Sequence, residues 1–440
     1  MTQWSTIQAI TANGKSAPAD APERAIVTDL HRRIIQNLDD SAVQTLGADR
    51  RREHVERATR ALLAEIYPNV VGDDKEDIIG YVVNEVAGLG PIEPLLRDPT
   101  VSEVMVNGPD AIYYERNGVI YKSDVTFMDN AHLLRIIERI VSPIGRHVDE
   151  ATPMVDARLP DGSRVNIVIP PLVPNSPAIT IRKFRRDRHS MKDLVAIGSL
   201  TENMARFLDA CVKAKLNIIV SGGTGAGKTT FLNALSAAMG ARERIVTIED
   251  PLELVLQQEH VVRMEARPSS TEGTGEVTQR DLVRNALRMR PDRIIVGEVR
   301  GSEAFDMMQA MNTGHEGSIS TVHANSPRDA LSRIQNMVLM AGFDIPARSI
   351  REQMASALDL IIQISRLTDG SRKVVQVTEV SGMEGDVITL QDLFVFKQMG
   401  VDKDGKVRGD LLPTGIRPHA ATKITAAGIE LPWHMFNRIG

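Results

Sequence analysis

Apolar positions recurring at threes and fours mark three early segments, AIVTDLHRRIIQNL, EHVERATRALLAEIY and KEDIIGYVVNEVAGLG, as amphipathic helices. Together they predict a small helical bundle over residues 25–97. The stretch before them, residues 1–24, is small, polar and Ala/Pro-containing, and is expected to be a mobile arm. Between about 99 and 185 the period falls to two: SRVNIVI and AITIRKF alternate apolar with polar, and NGPD, RNG and PDG supply turns. This predicts an α+β domain over 98–190, with an antiparallel sheet, one helix at HLLRIIERIVSPIG and a closing linker that carries the basic cluster RKFRRDRH.

From residue 191 the pattern changes again. Short, nearly continuous apolar runs, LNIIV, RIVTIED, DRIIVGE and SISTVH, alternate with helical segments such as RDLVRNALRMR, stopped by Pro291, and SEAFDMMQAMN, with Gly314 placed as a left-handed cap. Strands alternating with helices imply a parallel sheet, and ligands of such sheets bind at the carboxyl ends of the strands. We assign residues 191–440 to this α/β domain and a carboxyl-terminal extension.

Composition narrows the classes. A chain of 440 residues has length for two or three domains, and 42% apolar with 25% charged residues is an ordinary globular mixture. The net charge of −5 argues against a protein built mainly to coat nucleic acid. One cysteine, Cys211, allows no internal disulfide and fits a reducing compartment. No run approaches eighteen apolar residues and the amino terminus lacks a signal pattern, so the expected location is the cytoplasm, with membrane contact only through partners.

The strongest chemical signal is GGTGAGKT, which satisfies G-x-x-x-x-G-K-[ST] between a strand and a helix. Glycines there let backbone N–H groups close around phosphate oxygens, and the helix dipole adds positive potential. The phosphate cradle is expected over Gly222, Gly223, Thr224, Gly225, Ala226, Gly227, Lys228, Thr229 and Thr230, with Lys228 on the β and γ phosphates and Thr229 on Mg²⁺. ATP and Mg²⁺ are the implied cofactors. Strands two to four terminate in Glu249 and Asp250, in Glu298, and in His323, so their chemistry should meet the cradle at one sheet edge. Within TGHEGSISTVHANS, His315 and His323 lack further ligands at zinc spacing. They are read either as capping and buried structural residues or as groups that sense the γ-phosphate.

GGTGAGKTT, TIEDPLEL, RIIVGEVRG and TGHEGSISTVHANS together resemble the Walker A, Asp box, Walker B and His box of the secretion ATPase superfamily, which drives type II and type IV secretion and type IV pili. GLGPIEPLLRDPTVSEVMVNG, RLPDGSRVNIVIPPL and ITIRKF resemble more narrowly the CpaF-type tight-adherence (Tad) pilus assembly ATPases. The resemblance implies a RecA-like P-loop ATPase domain with a parallel-rich sheet, preceded by the smaller α+β domain and helical bundle. It also implies a homo-hexamer working with inner-membrane platform proteins at the cytoplasmic face, and no nucleic acid. Glu298 and Glu253, with Glu249 close behind, become the candidates for organising Mg²⁺ (Glu298 above all) and polarising water. Gly297 stands where many P-loop ATPases carry Asp. Arg164 and Arg182 match arginines that reach the nucleotide from the amino-terminal domain, with Arg158 and Arg288 as weaker matches.

Two other classes share the P-loop sheet. A RecA-like nucleic-acid translocase would need a stacking or basic groove, which 4% aromatic content disfavours. A nucleotide-binding regulator would hydrolyse ATP too slowly to act as a motor.

Overall fold

The computed structural model describes residues 21–37, 47–116, 118–184, 189–267 and 275–437. Most of the expected amino-terminal arm, and Arg185, Arg186 and Arg188 of the basic cluster, lie outside them. The chain divides into two compact units, Met1–Arg185 and Arg186–Gly440. Among the described residues no helix is long and apolar enough to cross a membrane.

In the first unit, helices α1 (Ala21–Asn37), α2 (Ala48–Ile66) and α3 (Asp73–Ala87) pack through Leu30, Ile34, Val55, Leu63, Ile79 and Val82. These are the positions the threes-and-fours periodicity singles out. The sheet that follows contains β1 (Val101–Asn107), β2 (Ile112–Arg116), β3 (Val119–Lys122), β4 (Met154–Arg158), β5 (Arg164–Val168) and β6 (Ala178–Arg182), in the order β3-β2-β1-β6-β5-β4. Every pairing in it is antiparallel. Its inward residues, Val104, Val106, Val165, Ile167, Ile179 and Ile181, alternate along the strands and pack with helix α4 (Asn130–Val141) through Leu133, Ile136 and Ile137. Asp129 caps that helix, accepting from the His132 N–H at 2.6 Å.

The second unit is built on a nine-stranded sheet. Its parallel part contains β7 (Ile218–Gly222), β8 (Ile245–Glu249), β9 (Val261–Glu265), β10 (Arg293–Val296), β11 (Ile319–Val322) and β12 (Leu360–Arg366), in the order β12-β7-β11-β10-β8-β9. An antiparallel extension, β13 (Arg372–Glu384), β14 (Val387–Val401) and β15 (Val407–Pro413), continues from β12. Burial on both faces explains the unbroken apolar runs of the parallel strands. In β7, Ile218 and Val220 enter one core, whereas Ile219 enters the other. The first core contains Met204, Phe207 and Cys211 of α5 (Glu202–Lys213) with Leu232 and Leu235 of α6 (Lys228–Ser236). The second contains residues of α7 (Gln279–Ala286), α8 (Glu303–Asn312), α9 (Pro327–Met340) and α10 (Ala347–Ala357). Gly314 takes the expected left-handed conformation, at φ 91°.

Candidate functional site

The strand order, more than any one side chain, composes the site. Because β7, β11, β10 and β8 are consecutive neighbours, their carboxyl ends follow one another at strand spacing, about 4.8 Å. The glycine loop after β7 therefore lies beside His323, which lies beside Glu298, with Glu249 beyond.

The loop's backbone suits a phosphate group. Gly225 and Gly227 hold φ of 70° and 98°, a region that disfavours side chains. Cβ atoms placed on Gly223 or Gly225 would meet nothing within 4 Å, so the cradle is open. Gly222 is needed for a different reason: a Cβ there would lie 2.5 Å from the Ile364 carbonyl of β12. Lys228 and Thr229 open helix α6, whose positive dipole end faces the loop. The Lys228 ammonium is 3.0 Å from the Gly222 carbonyl oxygen and 3.2 Å from that of Gly223. Burial lowers its pKa, so an anion delivered to the loop would relieve the cost of keeping that charge inside.

A chain of groups runs from the ammonium across the strand ends. Both ring nitrogens of His323 are 3.3 Å from Lys228 Nζ, and its Nε2 is 2.6 Å from Glu298 Oε1. Burial, and then the Lys228 charge, lower the pKa of His323. A neutral ring can donate from Nε2 to Glu298 and turn an acceptor toward Lys228. The other Glu298 oxygen accepts from Arg300 at 2.6 Å. On the opposite flank the Thr229 hydroxyl is 3.4 Å from Glu253 Oε2.

Glu249 is held differently from Glu298. It is buried, and its Oε2 accepts the backbone N–H groups of Glu253 and Leu254 at 2.6 and 2.7 Å, while Oε1 accepts from Thr247 at 3.2 Å. It ties down the loop that carries Glu253 and is spent on that task. This also accounts for Gly297, since a Cβ there would lie 3.0 Å from Glu249 Cγ. Burial raises the Glu249 pKa. Glu249→Gln should therefore retain near-normal turnover, because an amide oxygen can accept the same N–H groups, whereas Glu249→Ala should lose roughly 1–3 kcal/mol by leaving them unsatisfied. Turnover and denaturant midpoints for the two variants check this.

His315 lies away from the cradle within the chain. It precedes β11, at the sheet's amino edge, where the Gly317 and Ser318 N–H groups donate to Asn217 Oδ1 and the His315 carbonyl accepts from Ser318 Oγ. His323 follows the same strand at the carboxyl edge. The intervening extended chain separates the two by on the order of 15 Å, so within one chain they can neither share an ion nor flank one phosphate.

Arg164 and Arg182 lie in the first unit, directly opposite each other on β5 and β6, and Arg158 on β4 is opposite Arg164. Cross-strand partners share a face, so three guanidinium-bearing residues form one row, next to Glu103 on β1. Like charges placed opposite one another cost stability, which an anion would offset.

Three residues escaped the sequence pattern. Arg372, on β13, donates to the Gly225 carbonyl at 2.9 Å and braces the loop apex. Gln279, with its amide oriented to satisfy its neighbours, donates to the Glu298 carbonyl at 3.0 Å and accepts from the Asp250 N–H at 3.2 Å. Arg300 stands inside the GEVRG phrase but has no spacing rule to announce it.

Comparisons with known proteins show what the chain is similar to. The family model described as type II/IV secretion system protein matches residues 85–405. A putative conjugal transfer protein of Mycobacterium tuberculosis is 37% identical over 309 residues, covering 69% of this chain and 87% of its own length. The type IV secretion system protein PtlH of Bordetella pertussis is 36% identical over 330 residues, covering 67% and 95%. Among solved structures, the Brucella suis VirB11 ATPase is 30% identical, covers 65% of this chain and 94% of its own, and has a TM-score of 0.36.

Proposed function

The chain belongs to the type II/IV secretion system protein family, the premise from which we propose that its ATP hydrolysis drives a motor of a secretion or pilus machine. The observation that carries this is the unbroken line Lys228–His323–Glu298 at one sheet edge, beside an open glycine cradle.

In this reading the loop N–H groups and Lys228 hold the β and γ phosphates, and the α6 dipole adds to their pull. Thr229 and Glu298 are the residues that would hold Mg²⁺, with Glu253 within reach of Thr229; when bound, the ion supplies positive charge to the phosphate oxygens. Glu298 orients and polarises the attacking water. His323, kept neutral, fixes the Glu298 carboxylate and relates its position to Lys228, so loss of the terminal phosphate alters both. Phosphoryl transfer asks chiefly for positioning and charge stabilisation, and this arrangement provides both.

The finer assignment is a homo-hexameric ring acting in Tad-type pilus assembly at inner-membrane platform proteins. The phrases GLGPIEPLLRDPTVSEVMVNG and RLPDGSRVNIVIPPL support it. The arginine row of the first unit supplies an anion-binding face suited to a nucleotide's phosphates. Arg164→Ala and Arg182→Ala should each lower turnover by about tenfold or more while the melting temperature stays within about 2 °C, on the scale expected for a lost charge-assisted contact.

Light scattering with nucleotide present should give a ring mass, and Mg²⁺-dependent ATP hydrolysis should be indifferent to single-stranded DNA or RNA. A chain that hydrolyses ATP fully as a monomer would defeat the ring, and strong stimulation by nucleic acid would favour a translocase.

A further inference from the structure

Beside the Glu298–His323 pair lies a cavity of about 470 Å³ lined by Thr224, Glu298, Val299, Arg300, His323 and Arg333. Arg300 and Arg333 reach it from different elements. The first follows β10, where its backbone is anchored: the Val299 N–H donates to the Thr321 carbonyl at 2.9 Å, and Glu303 accepts the N–H groups of Arg300 and Gly301 at 2.6 and 2.9 Å. Only the side chain, half exposed, is left to swing. Arg333 comes from α9, whose residues Asp329, Ser332, Arg333 and Asn336 line the adjoining space over Gly223 and Thr224. Their spacing of three and four places them on one helix face, while Ala330, Ile334 and Val338 bury the other in the core.

The charge balance of this cavity is uneven. Its carboxylate is Glu298, already shared between His323 and Arg300. Arg333 forms no ion pair among the described residues, yet it is close enough to His323 to help lower that ring's pKa. Guanidinium groups reaching from two elements into a space that Thr224 of the glycine loop also lines suit a planar-forked grip on phosphate oxygens.

We propose that Arg300 and Arg333 form a subsite, within the same chain, for the terminal phosphate of a bound nucleoside triphosphate, and that Arg300 leaves Glu298 to engage it. This rests on the nucleotide reading above and assigns phosphate-facing charge to residues of the second unit. Without a terminal phosphate, Arg300 and His323 occupy both Glu298 oxygens. With one present, the guanidinium exchanges carboxylate for phosphate, and Oε2 becomes available to a water molecule. The device couples base availability to triphosphate occupancy, so a diphosphate leaves Glu298 engaged.

The test compares equilibrium binding of a non-hydrolysable ATP analogue and of ADP to the full chain. Arg300→Ala and Arg333→Ala should each weaken the analogue by roughly tenfold or more, ~1.4 kcal/mol, with ADP changed less than about twofold. Arg→Lys at either position should recover part of the loss, since the charge remains but the fork does not. Equal weakening of both ligands would reveal a structural role and overturn the proposal, as would an unchanged ratio in either alanine variant. Lys228→Ala, run alongside, separates the two levels. If it weakens both ligands while the arginine variants leave the ratio intact, the nucleotide site stands and the subsite fails. If it alters neither ligand, the site and the subsite fall together.

Discussion

Lys228→Ala should leave no measurable ATP hydrolysis, a fall of at least about a thousand-fold. Loss of one preorganised donor to a developing charge typically costs a factor of about 10²–10³, and Lys228 is the side-chain cation the glycine loop itself aims at the phosphates. Its ammonium lies among the Gly222 and Gly223 carbonyl oxygens and against His323, so the change also loosens the link from the cradle to Glu298. Stability should not fall with it. The charge is held inside at a cost, as its lowered pKa records, and alanine removes that cost. Wild-type turnover in this variant would sink the phosphate-cradle assignment, whereas a lost melting transition would mean that the lysine serves the core.

Glu298→Gln should separate binding from chemistry. Glutamine keeps the size of the side chain and can still accept from His323 Nε2, but it removes the charge that pairs with Arg300 and polarises water. Turnover at saturating ATP should fall by about a hundred-fold or more, the scale of a lost general base or electrostatic contribution. ATP affinity should stay within a few-fold. The opposite outcome, collapsed affinity with the saturated rate intact, would make Glu298 chiefly a metal-binding residue. Glu249→Gln is the internal comparison. It changes the same chemical group one strand further along, yet should have little effect on turnover, because Glu249 accepts backbone N–H groups inside the protein.

Local chemistry made much of this legible from the sequence alone. GGTGAGKT needs only its own glycines, a strand before it and a helix after it, and the periods of two and of three to four mark strands and helices that the first unit contains. Apolar runs announce β7, β8, β10 and β11, and their closing residues bring Glu298 and His323 into view. The sequence could not show which strands become neighbours. The order β7-β11-β10-β8 places His323 between Lys228 and Glu298, and that order comes from how the helices cover two faces of one sheet, a matter of packing between distant segments. His315 precedes β11 and His323 follows it, so the length of the strand carries His315 to the edge opposite the cradle. Burial separated Glu249 from Glu298, since two carboxylates at adjacent strand ends look alike in sequence but meet backbone N–H groups in one case and a cavity in the other. Arg300, Arg333 and Arg372 come near the glycine loop only through folding. Each is an ordinary charge on its own segment, and only the tertiary structure brings the three segments around one glycine loop.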